Sequence, residues 1–191
     1  MQFGVMLATK VDDWELVKFA EELGYDMAWL ADSQMIWSDC YATLALAAHH
    51  TSRIRIGTGV AIAGTRLAPV TAHSIASVNR LAPGRTFLGI GTGHTSMRVM
   101  GMPPMKIADF SEYLRVVRGL LDGNEVEYTL NGRTRAIRFL HRDLGFVNVD
   151  DRIPMYVAAN GPRALALTGT LADGWVSGVT PEPGLFAHDL G

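Results

Sequence analysis

Short apolar runs that close in glycine or polar residues recur along the chain at spacings that leave room for one helix between neighbours. Val5-Met6-Leu7, Met27-Ala28-Trp29-Leu30-Ala31-Asp32, Ile54-Arg55-Ile56-Gly57-Thr58-Gly59-Val60, Thr86-Phe87-Leu88-Gly89-Ile90-Gly91-Thr92-Gly93, Ile153-Pro154-Met155-Tyr156-Val157-Ala158 and Gly174-Trp175-Val176 all have this form. Continuous apolar runs of this length read as strands buried on both faces, the habit of parallel sheets. Between them the spacing turns helical. Asp12 followed by Glu15 predicts an N-cap and first turn, Leu16, Phe19, Ala20 and Leu23 predict one apolar stripe, and Gly24 predicts its end. Asp39 predicts the cap of a second helix carrying Leu44, Ala47 and Ala48. Pro69 opens a third with Ala72, Ile75, Ala76 and Val78, which Pro83-Gly84 ends. Strand and helix in alternation predict an α/β fold whose chemistry sits at the C-terminal edge of the sheet.

After the fourth run the rhythm breaks, and an excursion occupies roughly residues 94–152. Ile107, Phe110, Leu114, Val117 and Leu121 make a helical stripe, and Asn131-Gly132 signals a hairpin turn lying beside the main sheet. A substrate-covering lobe is expected here. The rhythm resumes at Ile153, and Asn160-Gly161-Pro162 starts a helix with Leu165, Leu167 and Leu171. Six strand-like runs suit a doubly wound sheet. They suit a closed barrel at least as well, but such a barrel needs eight strands and typically about 250 residues. The expectation is one domain over 1–191: a partial barrel with six strands present and the last two missing, since Gly178 to Gly191 offers no convincing strand. Its two open edges would need cover from the excursion, an oligomer or further chain.

Composition narrows the classes. At 48 % hydrophobic content, 191 residues can build one substantial core. Seventeen basic against 19 acidic residues, net −2, leave no electrostatic footprint for nucleic acid or an anionic membrane. A lone cysteine, Cys40, excludes an internal disulfide and fits a reducing compartment. No apolar segment approaches the roughly 20 residues that span a bilayer, and Met1-Gln2-Phe3 runs directly into the first strand, so a cytoplasmic location is expected. Among chemical groups, a strand-end carboxylate at Asp32 must be wet or paired. His94 is suited to proton transfer near neutral pH. Free amides at the helix start behind Asn160-Gly161-Pro162 favour an anion. Gly89, Gly91 and Gly93 form only a GxGxG without the acidic residue that a dinucleotide fold places about 20 residues on. His49 and His50 are helical neighbours pointing about 100° apart, outside any HExxH pattern, and no metal site is expected.

In order and spacing, several motifs together resemble the bacterial-luciferase-like flavin and deazaflavin oxidoreductases, notably the methylene-tetrahydromethanopterin reductase-like branch. They are Phe3-Gly4-Val5, Glu22-Leu23-Gly24-Tyr25, Trp29-Leu30-Ala31-Asp32-Ser33, Gly57-Thr58-Gly59-Val60, Thr65-Arg66, Pro69-Val70-Thr71-Ala72, Gly84-Arg85, Leu88-Gly89-Ile90-Gly91-Thr92-Gly93, Ala158-Ala159-Asn160-Gly161-Pro162-Arg163-Ala164-Leu165 and Leu171-Ala172-Asp173-Gly174-Trp175. The resemblance implies a TIM (β/α)8 barrel with coenzyme F420, or alternatively FMN, at the C-terminal mouth and a small-molecule substrate against one ring face. It implies hydride transfer between coenzyme F420 and a small organic or pterin-like substrate. FMN-dependent monooxygenation and a non-enzymatic or incomplete barrel are the alternatives.

By the same resemblance Asp32 orients the ring edge or the substrate, and Gly59-Val60 falls where some relatives carry a non-proline cis peptide behind the ring. An ordinary trans glycine turn is the alternative there. Thr58, Gly91, Thr92 and Gly93 would bring backbone close to ring or tail, and Asn160-Gly161-Pro162 would hold part of the tail. Ser33 departs from the histidine of many relatives. His94 stands in a loop that is frequently acidic in them, where it serves cofactor phosphate or substrate or simply faces solvent; Arg163 is expected to face solvent. A homodimer through the early, alanine-rich barrel helices is also implied.

Overall fold

The computed structural model describes residues 1–178. Six strands run parallel: β1 (Gly4–Leu7), β2 (Met27–Leu30), β3 (Arg55–Ile62), β4 (Thr86–Gly91) and, after a separate antiparallel hairpin of β5 (Val126–Leu130) and β6 (Arg133–Ile137), β7 (Met155–Ala158) and β8 (Gly174–Val176). Their order is β1-β2-β3-β4-β7-β8, with no reversal. A doubly wound sheet reverses direction at a switch point, so that alternative is set aside. The sheet curls into a half-barrel. Neighbouring strands stand about 4.8 Å apart, yet Trp29 of β2 meets Tyr156 of β7, three strands away, with ring centroids 5.5 Å apart across the concave face. Phe87 completes this inner cluster, 4.3 Å from Trp29. Leu88, Ile90, Met155 and Val157 point the other way, into the layer beneath the helices. Such crowding explains Gly57, where a Cβ would lie 2.2 Å from the Phe87 carbonyl oxygen.

The helices are α1 (Glu15–Glu22), α2 (Cys40–His50), α3 (Ala68–Leu81), α4 (His94–Val99), α5 (Ile107–Leu121) and α6 (Pro162–Leu171). Asp39 caps α2 as its sequence predicts, accepting from the Ala42 N–H at 2.9 Å. Asp12 does not cap α1: it falls in a 3-10 turn, Val11–Asp13, and pairs with Lys10 at 3.2 Å. The predicted stripe on α1 is also mostly exposed. Val17 and Ala20 are the buried residues, while Leu16, Phe19 and Leu23 remain solvent-facing. Helix α1 lies beside the outermost strand, so a face that would meet a further layer meets none among the described residues. Helix α4 is an element the polar stretch after Gly93 does not announce. Asn131 (φ 52°) and Gly132 (φ 73°) turn the hairpin as expected.

Two polar clusters fix the connections. The Glu21 carboxylate at the end of α1 accepts from the Ser52, Arg53 and Ile54 N–H groups at 3.1, 2.8 and 2.7 Å, closing the turn into β3. Burial alone would raise its pKa, but these donors and the Arg53 charge hold it below the ordinary value. Asn79 on α3 is fully buried. It donates to the Asn148 and Asp151 carbonyls and accepts from Gly84 N–H and Thr86 Oγ1–H, binding the return of the excursion to the base of β4. No helix among the described residues is long and apolar enough to cross a membrane.

Candidate functional site

A cavity of about 700 Å³ opens at the C-terminal ends of β3, β4 and β7. Its wall takes Gly59, Val60 and Ile62 from β3, Gly91 to Ser96 from the end of β4 into α4, Ile107 and Phe110 from α5, and Ala158 to Ala164 from β7 into α6. Ser33 closes it from the end of β2. Each strand delivers its residues because the parallel register brings these ends to one level: Ile90 stands opposite Ala61 on one side and Val157 on the other. The Gly59–Val60 peptide is cis rather than an ordinary trans glycine turn, and the pairing of β3 with β4 shifts register between Thr58 and Ala61. Gly93, at φ +78°, lets the chain leave β4 and enter α4; a Cβ there would lie 2.1 Å from Ile62 Cγ2.

Polar groups at the far wall are sparse and unspent. Ser96 Oγ is buried and has no hydrogen-bond partner. No side chain caps α6: Gly161 occupies the N-cap and Pro162 the first turn, and the first amide of this helix start to find a backbone acceptor is that of Leu165. A helix start of this kind attracts negative charge. His94 begins α4 as an exposed residue in the wall, and Arg163, also exposed, reaches its rim. The Trp175 indole N–H donates to the carbonyl of Ala159 at 2.6 Å, supporting the β7 side from behind.

Two predicted site residues stand outside this wall. Thr58 is fully buried, its hydroxyl donating to the Gly89 carbonyl at 2.6 Å, so it braces β3 against β4. Asp32 lies behind Ser33 with its side chain 2 % exposed. Its Oδ1 accepts from Gln34 Nε2 at 2.7 Å, while Oδ2 accepts from Arg66 Nη1 at 3.0 Å and the Ile62 N–H at 3.4 Å. Burial raises the pKa of Asp32, opposed by the Arg66 charge and the Ile62 amide. Cys40, fully buried nearby, donates its thiol to the Leu30 carbonyl, and burial pushes its pKa well up, which makes it structural.

The remaining predicted residues (Gly59, Val60, Gly91, Thr92, Gly93, His94, Asn160, Gly161 and Pro162) share the one cavity although they come from three parts of the chain. Sequence reasoning missed the apolar contribution of Ile107 and Phe110, which were visible only as one stripe of α5, and missed Ser96. It also missed that Arg66 is the partner of Asp32. The basic residue after the third strand was the available signal.

A parallel half-barrel whose glycine-rich strand ends meet an uncapped helix at one mouth defines a barrel of the α/β class with a cavity at its C-terminal edge. The chain belongs to the luciferase-like monooxygenase family, whose model matches residues 1–188. It is 36 % identical over 159 residues to 5,10-methylenetetrahydromethanopterin reductase of Methanolobus tindarius, a match covering 82 % of this chain and 47 % of the relative. It is 31 % identical to F420-dependent hydroxymycolic acid dehydrogenase of Mycobacterium tuberculosis, over 83 % of this chain and 46 % of that one. In solved structures it resembles the coenzyme F420 dependent tetrahydromethanopterin reductase from Methanopyrus kandleri, with TM-score 0.74 and 26 % identity over 92 % of this chain and 55 % of the other. The chain thus spans about half the length of the curated relatives it matches.

Proposed function

We propose that this chain binds coenzyme F420 at the mouth of its half-barrel and takes part in hydride transfer to or from a small organic substrate. The observation that carries this is the meeting of three glycine-containing segments, Gly59-Val60, Gly91-Thr92-Gly93 and Asn160-Gly161-Pro162, around one cavity of about 700 Å³, a volume within the range of cofactor sites. The wall fits such a group. A Cβ on Gly91 would press to 3.3 Å on both Val60 Cγ2 and Ala158 Cβ, whereas Gly161 has open space around it. The orphaned hydroxyl of Ser96 and the uncapped start of α6 supply donors for an anionic tail. Two of the proteins named above, the hydroxymycolic acid dehydrogenase and the Methanopyrus kandleri reductase, are F420-dependent and support the choice of cofactor.

Bound there, coenzyme F420 supplies the two-electron hydride chemistry, and the protein's part is placement and polarity. Backbone at Gly59-Val60 and Gly91-Thr92-Gly93 allows the ring close approach. Asn160, Gly161 and the first amides of α6 hold the tail. His94 lines the cavity from the first turn of α4 with its side chain unburied, which supports a role in proton transfer to or from the substrate. Asp32 acts from behind the wall, orienting Ser33 through the backbone, because its carboxylate oxygens are already engaged.

The test is anaerobic titration of the protein with reduced coenzyme F420 and, separately, reduced FMN, followed by absorbance before and after oxygen is admitted. Saturable binding of the deazaflavin with little reaction on aeration is expected. Preference for FMN with rapid oxygen consumption would replace this reading with monooxygenation, and a folded sample that binds neither would end it.

A further inference from the structure

We propose that Arg66 is a positioning residue, clamping the end of β2, the start of α2 and the loop after β3 into one unit behind the cavity wall. Its guanidinium spans two carboxylates that belong to different elements: Nη1 lies 3.0 Å from Asp32 Oδ2 and Nη2 lies 2.9 Å from Asp39 Oδ2. The same group stacks over the Tyr41 ring, 4.7 Å from its centroid. Each carboxylate is divided between tasks. Asp39 uses Oδ1 to cap α2, and Asp32 uses Oδ1 to hold Gln34.

The backbone of Arg66 is held as well. Its carbonyl accepts from the Tyr113 hydroxyl of α5 at 3.1 Å, and that hydroxyl shares a 2.6 Å hydrogen bond with Thr71 of α3. One residue therefore joins the β2 end, α2, α3 and the excursion helix that contributes Ile107 and Phe110 to the cavity. Two wall residues sit directly on the clamp: Ser33 follows Asp32 in the chain, and Ile62 donates its N–H to Asp32. A lysine in this place keeps the charge but lacks the planar fork that reaches both partners at once. The clamp holds the wall whichever cofactor the cavity takes.

The groups facing Asp32 are Arg66 from the β3–α3 loop, Asp39, Cys40 and Tyr41 from α2, and Tyr113 from α5. Arg66 is the cation among them, and it opposes the effect of burial on Asp32. Its removal extends upward the pH range over which native Asp32 stays protonated while the unfolded chain does not. Stability of an Arg66→Met variant is therefore expected to fall, relative to the parent, as pH rises above the unfolded value of 3.8.

The test is hydrogen–deuterium exchange on the whole chain at pH 7 for Arg66→Met, Arg66→Lys and Asp39→Asn, with urea unfolding of Arg66→Met across pH, alone and combined with Asp32→Asn. For Arg66→Met, exchange in segments 31–38 and 61–67 is expected to accelerate at least tenfold, while β4 and β7 stay within about twofold. Arg66→Lys and Asp39→Asn should show smaller accelerations in the same segments. Adding Asp32→Asn should abolish the extra pH dependence without slowing the loops. Unchanged loop exchange overturns the proposal, as does acceleration spread evenly over loops and strands. So does a pH profile of Arg66→Met parallel to that of the parent. Should Arg66→Met not fold, localised or unlocalised exchange in the other two single variants decides the matter in the same way.

Discussion

At position 93 a side chain is opposed twice, by a backbone at φ +78° and by Ile62 lying where a Cβ would go. Gly93→Ala is accordingly expected to shift the turn into α4 and weaken coenzyme F420 binding at least tenfold in the titration described above, with a loss of stability of about 1–2 kcal/mol from the left-handed backbone alone. Glu21 tests a different force. Replacing it with glutamine removes a charge that three backbone donors address, and should lower the free energy of unfolding by about 1–2 kcal/mol at pH 7. Its native pKa is depressed, so its contribution is present above the unfolded value of 4.5 and is lost as pH falls through the native one. Denaturation of both proteins at pH 7 and pH 3 should therefore show the difference shrinking in acid. Single residues were legible where chemistry restricts the choice. Asp39 as a cap and Asn131-Gly132 as a turn need only their neighbours in the chain. Asp32 could be marked as needing a partner, but Arg66 lies 34 residues away, and nothing local names it.

Elements were legible in proportion to their burial. Strands enclosed on both faces announced themselves, and β4, all of whose residues are buried, was the plainest. Helix α4 was not visible because His94-Thr95-Ser96 carries no apolar period and the helix is held by the chain on either side. The stripe on α1 misled for the opposite reason. Periodicity says that one face is apolar but not whether a layer lies against it. Asn79 ties down the return of the excursion, and Asn79→Leu would leave the Asn148 and Asp151 carbonyls and two donors unanswered at the base of β4. A loss of about 2–4 kcal/mol is expected, measured by urea unfolding. By contrast Gly132→Val, at φ +73° on an exposed tip, should fray the β5–β6 hairpin in hydrogen exchange while the six-stranded sheet keeps its protection.

At the scale of the molecule, sequential strand order and the shared level of the strand ends followed from the repeated strand-helix rhythm, whereas the curl of the sheet depends on packing. Trp29, Phe87 and Tyr156 can meet only if the sheet bends, and no local pattern encodes their distances. Outside β1, helix α1 leaves the apolar side chains of Leu16, Phe19 and Leu23 exposed among the described residues. Exposed apolar surface of this kind promotes association. Leu16→Lys combined with Phe19→Glu is expected to leave the unfolding midpoint nearly unchanged and reduce concentration-dependent light scattering; equal scattering would show that this flank is not the adhesive one.

The hydrogen bond from Trp175 to Ala159 has an optical consequence. The indole is anchored to a carbonyl whose own residue forms part of the cavity wall, so whatever fills that space changes the polarity and quenching felt by this chromophore. With Trp14, Trp29 and Trp37 changed to phenylalanine, the emission of Trp175 becomes a native signal of occupancy, readable even for colourless ligands.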